Sequence, residues 1–385
     1  MAGNVSAVLR TPLTDLLGIR LPLVQAPMAG GWTTPELVAA VSNAGGLGML
    51  AGSRLTLAQV DQQIRRTQEL TTRPFGVNFL IAPSEPPVGV TPALSGVFET
   101  ARAALGLARP ASRSSGAAPT PIPAAVDAAP AFDEAIDAVL ARGVRVVSLA
   151  LGDPAPYIER VQRAGALMFA MVTTVDDAKR VEAAGVDVIV TQGSEAGGHR
   201  STIDLPSDGE APLIGTMALV PQVVDAVRRP VVASGGIMDG RGVLAALVLG
   251  AAGAQLGTRF LLAAESNLFP SYRERLLTAT ETDTTVTRAF TGRPARSIRN
   301  RFIDEFERAG AKALPWPHQR AAGAEIFAAA TAQNNAEWTP LLAGQGLRMA
   351  RDVAPASTII ATIEREIGTA LDRLRGHRAD RERSI

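Results

Sequence analysis

The chain has 385 residues, 46% of them hydrophobic, enough apolar material for a substantial core in one large domain or two. Its 38 basic and 37 acidic residues nearly cancel, giving a net charge of +1, so the basic excess of a nucleic-acid footprint is missing. It contains no cysteine, which removes disulfides, thiolate metal sites and a cysteine nucleophile and fits a cytoplasmic protein.

Asp15 and Arg20 interrupt the apolar residues at 13–24, so no signal-peptide core is expected there. The longest uncharged stretches, 37–53 and 242–258, are short for a membrane span and broken by glycines. Both read as buried helix plus strand in a soluble globular protein. From Leu21 onward, short apolar runs alternate with amphipathic segments. The patterning predicts strands at 21–26, 46–50, 75–80, 144–149, 167–172, 186–190, 231–233 and 254–256. Helices are predicted at 35–43, 56–69, 131–142, 154–164, 175–184, 216–228, 240–249 and 259–264. Thr34 should cap the first of these, with proline at its first helical position.

Most of these strands lack clean alternation, as parallel strands covered on both faces do. Eight strand-then-helix units predict an α/β fold, a (β/α)8 TIM barrel over residues 11–265, with an open doubly wound sheet as the rival. Two stretches break the rhythm. Residues 82–130 are rich in proline and alanine, with a helix at 92–107 capped by Thr91, and read as an insertion or lid after strand three. Residues 266–385 read as a helical C-terminal appendage packed on the barrel, with helices at 268–277, 300–309 and 357–374.

The run Val231-Val-Ala-Ser-Gly-Gly-Ile237 carries the seventh strand through Ser234, Gly235 and Gly236 towards a helix. Free amides there and the helix start would cradle a phosphate. Ala254-Gln-Leu-Gly-Thr-Arg259 repeats the pattern with Gln255, Leu256, Gly257 and Thr258. In barrels, the loops after strands seven and eight are the usual phosphate site. The first strand ends in Gln25-Ala-Pro-Met-Ala-Gly-Gly31, whose Pro27, Met28 and Ala29 would lie along a planar ring. Asn78, in Gly76-Val-Asn78, and Gln192 add amides, which both donate and accept, as the mixed edge of an isoalloxazine requires. Together with a phosphate site, the set favours FMN.

The loop Thr191-Gln-Gly-Ser-Glu-Ala-Gly-Gly-His-Arg-Ser201 follows the sixth strand. Gly197 and Gly198 let its backbone approach a ligand closely, and His199, one of three histidines, is the place to expect proton chemistry. Gly45-Gly-Leu-Gly48 runs into a strand and is no dinucleotide fingerprint. Asp204, Asp208 and Glu210 read as a solvated acidic loop, and no metal site is expected. His318, after Pro315-Trp-Pro317, reads as a packing or surface residue, and His377 as solvent-exposed.

These motifs together resemble the nitronate monooxygenase family, formerly called 2-nitropropane dioxygenases. The resemblance covers most of the chain: the residues from Gln25 to Gly31, Thr34-Pro-Glu-Leu37, Ser42-Asn-Ala-Gly-Gly-Leu-Gly48, Gly76-Val-Asn78 and Gln192-Gly-Ser-Glu-Ala-Gly-Gly-His199. It continues through Ala233-Ser-Gly-Gly-Ile237, Gln255-Leu-Gly-Thr258, Phe290-Thr-Gly-Arg-Pro-Ala-Arg296, Arg299-Asn-Arg-Phe302 and Ala343-Gly-Gln-Gly346. It implies FMN contacts at Asn78, Gln192, Gly197, Gly236 and Gln255 to Thr258, with His199 in the catalytic position. The implied activity is oxidation of alkyl nitronates, such as propionate 3-nitronate, by dioxygen to nitrite and a carbonyl product, without nicotinamide. His199 would either hydrogen-bond the nitro oxygens or remove an α-proton. The implied partners are a small nitronate and dioxygen, with no nucleic acid or membrane, and the oligomeric state is left open. The chain departs from the family at Leu342, where many relatives have tryptophan, and in its proline-rich insertion. An FMN-dependent NAD(P)H:quinone or enoyl-acyl-carrier-protein reductase is the alternative, and a flavin-binding protein without turnover is another. Inosinate dehydrogenases are excluded because their cysteine nucleophile has no counterpart.

Overall fold

A computed structural model describes residues 7–83, 88–108, 129–206 and 209–382. Eight parallel strands form the centre: β1 (Leu23–Gln25), β2 (Gly48–Ala51), β3 (Phe75–Leu80), β4 (Val146–Ala150), β5 (Leu167–Val172), β6 (Val188–Gln192), β8 (Val231–Ser234) and β9 (Gly253–Leu256). Their order is β1-β9-β8-β6-β5-β4-β3-β2. The ring closes where Val24 bridges Leu47 in parallel, with Leu47 N donating to Leu23 O at 2.8 Å and Gln25 N to Leu47 O at 2.9 Å. Buried Gln25 reinforces that seam, its Oε1 accepting from Met49 N at 3.1 Å. The expected (β/α)8 barrel is therefore the fold, and the closed seam disposes of the open sheet.

Sequence explains the parts. Thr34, Thr56 and Thr174 each cap a helix by accepting from an amide in its first turn, as their short hydroxyl side chains allow. Val24, Met49, Val146, Phe169, Val188, Val190 and Val232 fill the barrel interior, joined by Leu13 and Leu17. These leucines belong to the helix Pro12–Leu17, and Thr11 beside it bonds Ala252 O just before β9, so the helix plugs the N-terminal end. A second layer, including Val38, Ile64, Phe79, Ile136 and Leu219, packs strands against surrounding helices. Each fully buried side chain of this kind contributes about 1.5–3 kcal/mol.

Most predicted elements match in place and type, with ends shifted by a few residues. The helix expected at 259–264 is only Thr258–Leu261, because the chain then turns to bridge Ala263 with Ala354. A larger difference lies past the barrel. A three-stranded antiparallel sheet, ordered β10-β11-β7, joins β7 (Gly198–His199), β10 (Thr284–Thr287) and β11 (Ala295–Ile298). These strands are two to four residues long and pair across the chain, so no local periodicity announces them. The C-terminal helix Ala356–Glu382 packs Ile359, Ile360, Ile363 and Ile367 onto the barrel's last helix, Gly240–Val248. In that contact, a Cβ on Gly240 would come 2.4 Å from Ile363 O.

Of the insertion, residues 84–87 and 109–128 lie outside the described residues. Its helix Pro92–Ala104 is capped by Thr91 as expected. That helix is held against the C-terminal segment, with Leu94, Val97 and Phe98 meeting Phe290, Phe302 and Phe327, and Arg102 paired with Glu325 at 2.6 Å. Among the described residues, no helix is long and apolar enough to cross a membrane.

Candidate active site

A cavity of about 560 Å³ opens at the C-terminal ends of the strands. It gathers Pro27, Met28 and Ala29 after β1, Asn78 from β3 and Gln192 from β6. Gly197, Gly198 and His199 line it, as do Ser234, Gly235 and Gly236 after β8 and Gln255, Gly257 and Thr258 from β9 and beyond. Leu256 is the exception among the predicted binding residues. Period-two alternation turns its side chain into the core between Leu23 and Phe260, and only its carbonyl takes part locally, accepting from Ala26 N at 2.9 Å.

The two glycine loops form the cradle expected of them. Gly235 and Gly236 adopt φ of 122° and 68°, which glycine reaches without strain. Among the described residues, the amides of Gly236, Gly257 and Thr258 donate to no protein acceptor. Unpaired donors on adjacent glycine loops at a cavity wall suit a phosphate. The Thr258 hydroxyl, in contrast, is used inside the protein, accepting from Gly344 N at 2.9 Å.

The two amide side chains differ. Asn78 donates from Nδ2 to Ser148 O and Oγ, both at 3.1 Å, which leaves Oδ1 as an acceptor for a ligand. Gln192 ties its own loop together: Nε2 donates to His199 O at 2.8 Å and Oε1 accepts from Ser201 N at 3.0 Å. It stands in the wall, yet much of its hydrogen-bonding capacity goes to shaping the loop.

That loop is clamped from behind by arginines. Arg200, fully buried, donates to Gly193 O at 2.6 Å and Gln192 O at 2.9 Å. Burial pulls its guanidinium down to about 10, with Arg296 adding and Glu195 opposing. Arg293 donates to Arg200 O and Thr202 O, and Arg296 to Ser194 O at 2.8 Å. β7 pairs with β11, placing His199 opposite Ala295. Glu195 turns outward and accepts from Thr216 N at 2.9 and 3.0 Å, supplying the cap that Gly215 lacks for the helix Thr216–Ala226.

His199 faces the cavity with its Nε2 3.0 Å from Thr291 Oγ1 and its ring edge-on to Trp316, centroids 5.3 Å apart. Burial first, then the charges of Arg293, Arg54 and Arg320, push its pKa down to about 3, so the imidazole is neutral at pH 7. The Thr291 hydroxyl has one proton, which goes to the carbonyl of Arg293 at 3.2 Å. With its proton on that carbonyl the hydroxyl accepts from His199, and Nε2 is then the protonated nitrogen and Nδ1 the one with the lone pair.

The wall residues that the sequence reading did not single out include Arg54, Thr291, Trp316 and Arg320. Arg54 follows a predicted strand end and Thr291 sits inside the motif Phe290-Thr-Gly-Arg293, so each had a signal. Trp316 and Arg320 arrive through tertiary packing and had none. His318, between them, is not in the wall, and among the described residues no cluster of acidic residues and histidines suits a metal ion. Asp204 pairs with Arg180 at 2.5 Å, whereas Asp208 lies outside the described residues.

A family model described as nitronate monooxygenase matches residues 10–366. A Staphylococcus saprophyticus protein named probable nitronate monooxygenase is 38% identical over 369 residues, spanning 95% of this chain and 99% of its own. A Staphylococcus aureus protein of the same name is 39% identical over 358 residues, spanning 92% and 96%. Among solved structures, nitroalkane oxidase from Streptomyces ansochromogenes is 38% identical with a TM-score of 0.83, covering 94% of this chain and 99% of that one. FabK from Thermotoga maritima is 29% identical with a TM-score of 0.73, covering 96% and 99%. The match extends through the barrel, the glycine loops and the clamped histidine loop, and this chain belongs to the nitronate monooxygenase family.

Proposed function

We propose that the protein is an FMN-dependent nitronate monooxygenase, oxidising alkyl nitronates such as propionate 3-nitronate with dioxygen to nitrite and a carbonyl product. One observation carries this reading: a neutral, half-buried His199 shares a single cavity with two glycine loops whose amides lack protein acceptors among the described residues. The residues fit FMN. Gly236, Gly257 and Thr258 would hold its phosphate, the backbone of Pro27 to Ala29 would lie against its ring, and Asn78 Oδ1 would accept from the ring edge. When bound, FMN supplies the electron acceptor that dioxygen restores.

The chain's own residues do the rest. Trp316, Gly344 and Gly346 line the cavity and, with a substrate bound, would help to exclude water. His199 is neutral in the empty cavity, and with Nε2–H on Thr291 its Nδ1 lone pair can take an α-proton from a nitroalkane. Such base work contributes about 10²–10⁴-fold in rate when the base's pKa lies near the working pH, and a ring held near 3 falls short of that optimum. The cysteine-free composition fits a cytoplasmic enzyme.

The test is aerobic nitrite release from propionate 3-nitronate by the yellow protein, and its loss in His199→Asn with the flavin still bound. A wild-type protein that releases no nitrite refutes the proposal. The likeness to FabK favours a second reading, reduction by NAD(P)H. Anaerobic mixing separates the two: rapid bleaching of the flavin by NADH or NADPH supports the reductase, and bleaching by nitronate alone supports the monooxygenase. A flavin that no donor reduces would indicate binding without turnover.

A further inference from the structure

One side of the cavity wall is built by the helix Ala324–Ala332, which contributes Phe327, Ala328, Thr331 and Ala332. Spacings of three and four place these residues on one helix face. Met28, Trp32, Leu261 and Tyr272 also stand in the wall and belong to one apolar cluster. The hydroxyls in this part are spent inside the protein. Thr331 Oγ1 donates to Phe327 O at 2.9 Å, and Thr339 Oγ1 to the same carbonyl at 3.4 Å. The Tyr272 hydroxyl donates to Leu342 O at 2.8 Å. With those protons committed, the surface left to a ligand is chiefly methyl and ring carbon, which favours hydrocarbon over a polar group.

The helix face leads from the histidine to solvent. Phe327 is only 1% exposed and meets Phe290 edge-on, with ring centroids 5.7 Å apart. Phe290 directly precedes Thr291, the partner of His199. At this inner end Arg320 lies over the Phe327 ring, 5.0 Å from Cζ to centroid. Thr331 is half-buried, whereas Ala328 and Ala332 are exposed. From Phe327 to Ala332 the helix rises about 7.5 Å at 1.5 Å per residue, room for several methylenes. The two alanines keep the outer end of this face both apolar and narrow in side chain, so a chain lying there displaces water without ordering a long side group.

We propose that this face is a channel for an unbranched hydrocarbon tail, which lies along Ala328 and Ala332 while the reacting end sits beside His199. Medium-chain nitronates are then used better than the shortest ones. Because the outer end meets solvent, a tail longer than the channel runs on into water and is not refused. The identity of the reacting end rests on the nitronate reading above, but the channel itself is read from its side chains.

The experiment measures kcat/KM of the holoenzyme for preformed ethyl, butyl, hexyl and octyl 1-nitronates. In the wild type kcat/KM should rise about two- to fourfold per methylene from ethyl to hexyl, mainly through KM, and level off at octyl. Ala328→Glu and Ala332→Glu each place a carboxylate on the channel wall, at exposed helical positions where glutamate is well tolerated. Each should lower the hexyl-to-ethyl ratio at least about tenfold. A flat series in the wild type, or a ratio that neither variant changes, overturns the channel, and a fall of more than about tenfold from hexyl to octyl overturns its opening to solvent. Calorimetric titration of the holoenzyme with 1-hexanol and ethanol reads the channel without turnover. Hexanol binding at least about tenfold tighter, with the difference erased in Ala328→Glu or Ala332→Glu, supports it even if no nitrite is ever released. Equal binding of the two alcohols, or no binding of hexanol, overturns it.

Discussion

His199 Nε2 lies 3.0 Å from the hydroxyl of Thr291, and that hydroxyl is 3.2 Å from the carbonyl of Arg293. When the hydroxyl's proton goes to that carbonyl, which can only accept, Nε2 carries the ring's proton. Thr291 is therefore a positioning residue: it holds the ring with Nδ1 as the lone pair. Thr291→Val should lower kcat for neutral nitroethane by about 10–100-fold, with a smaller effect on preformed ethyl nitronate, whose α-proton is already gone. Thr291→Ser should restore most of the rate. Equal losses on both substrates would assign Thr291 a role in overall structure instead.

The depressed pKa of His199 makes stability depend on pH. Its folded value of about 3 lies below the unfolded value of 6.5, so between these the unfolded chain binds the extra proton. Stability is full above about pH 6.5 and falls as pH is lowered towards 3, at no more than about 1.4 kcal/mol per unit and less to the extent that cavity water screens the ring. Between pH 6.5 and 5, before most carboxylates titrate, the Tm of the wild type should fall more steeply than that of His199→Asn. Parallel Tm curves would show that His199 is not buried in its neutral form.

Gly235 sits at φ 122°, and a Cβ there would lie 2.7 Å from Thr216 Oγ1, itself 2.9 Å from Glu195 Oε2. Gly235→Ala should cost about 1–3 kcal/mol from backbone strain and displace the loop that would hold phosphate, seen as a lower Tm and a lower flavin-to-protein absorbance ratio. Gly96→Ala, in a helix with nothing within 4 Å of the new Cβ, should be neutral or stabilising by up to about 1 kcal/mol. Equal flavin content in the two variants would argue against the cradle.

Arg200 holds the carbonyls of Gln192 and Gly193 with its terminal nitrogens and is wholly buried. Arg200→Met keeps much of the volume and strands these carbonyls, for an expected loss of about 2–4 kcal/mol in urea unfolding. Because the same residue shapes the His199 loop, nitrite release should fall in the fraction that stays folded. A stability change under about 0.5 kcal/mol would mean the loop finds other donors.

Much of this molecule was legible before any coordinates. Apolar runs such as Val231 to Ala233, punctuated by glycine and followed by amphipathic segments, predict a barrel because strand and helix periodicity are local properties. The loops at Gly235, Gly236 and Gly257 stand out for the same reason, since left-handed backbone and close approach leave few residue choices. Pairing at a distance left no such trace. The two residues of β7 become a strand only through β11, nearly a hundred positions later, and Gln192 reads as a ligand amide until Ser201 and His199 are folded back onto it. His199 itself was visible in the sequence as a histidine on a glycine loop. Its neutrality and the arginine charges that act on it were decided by packing, because desolvation and charge act through space, not along the chain.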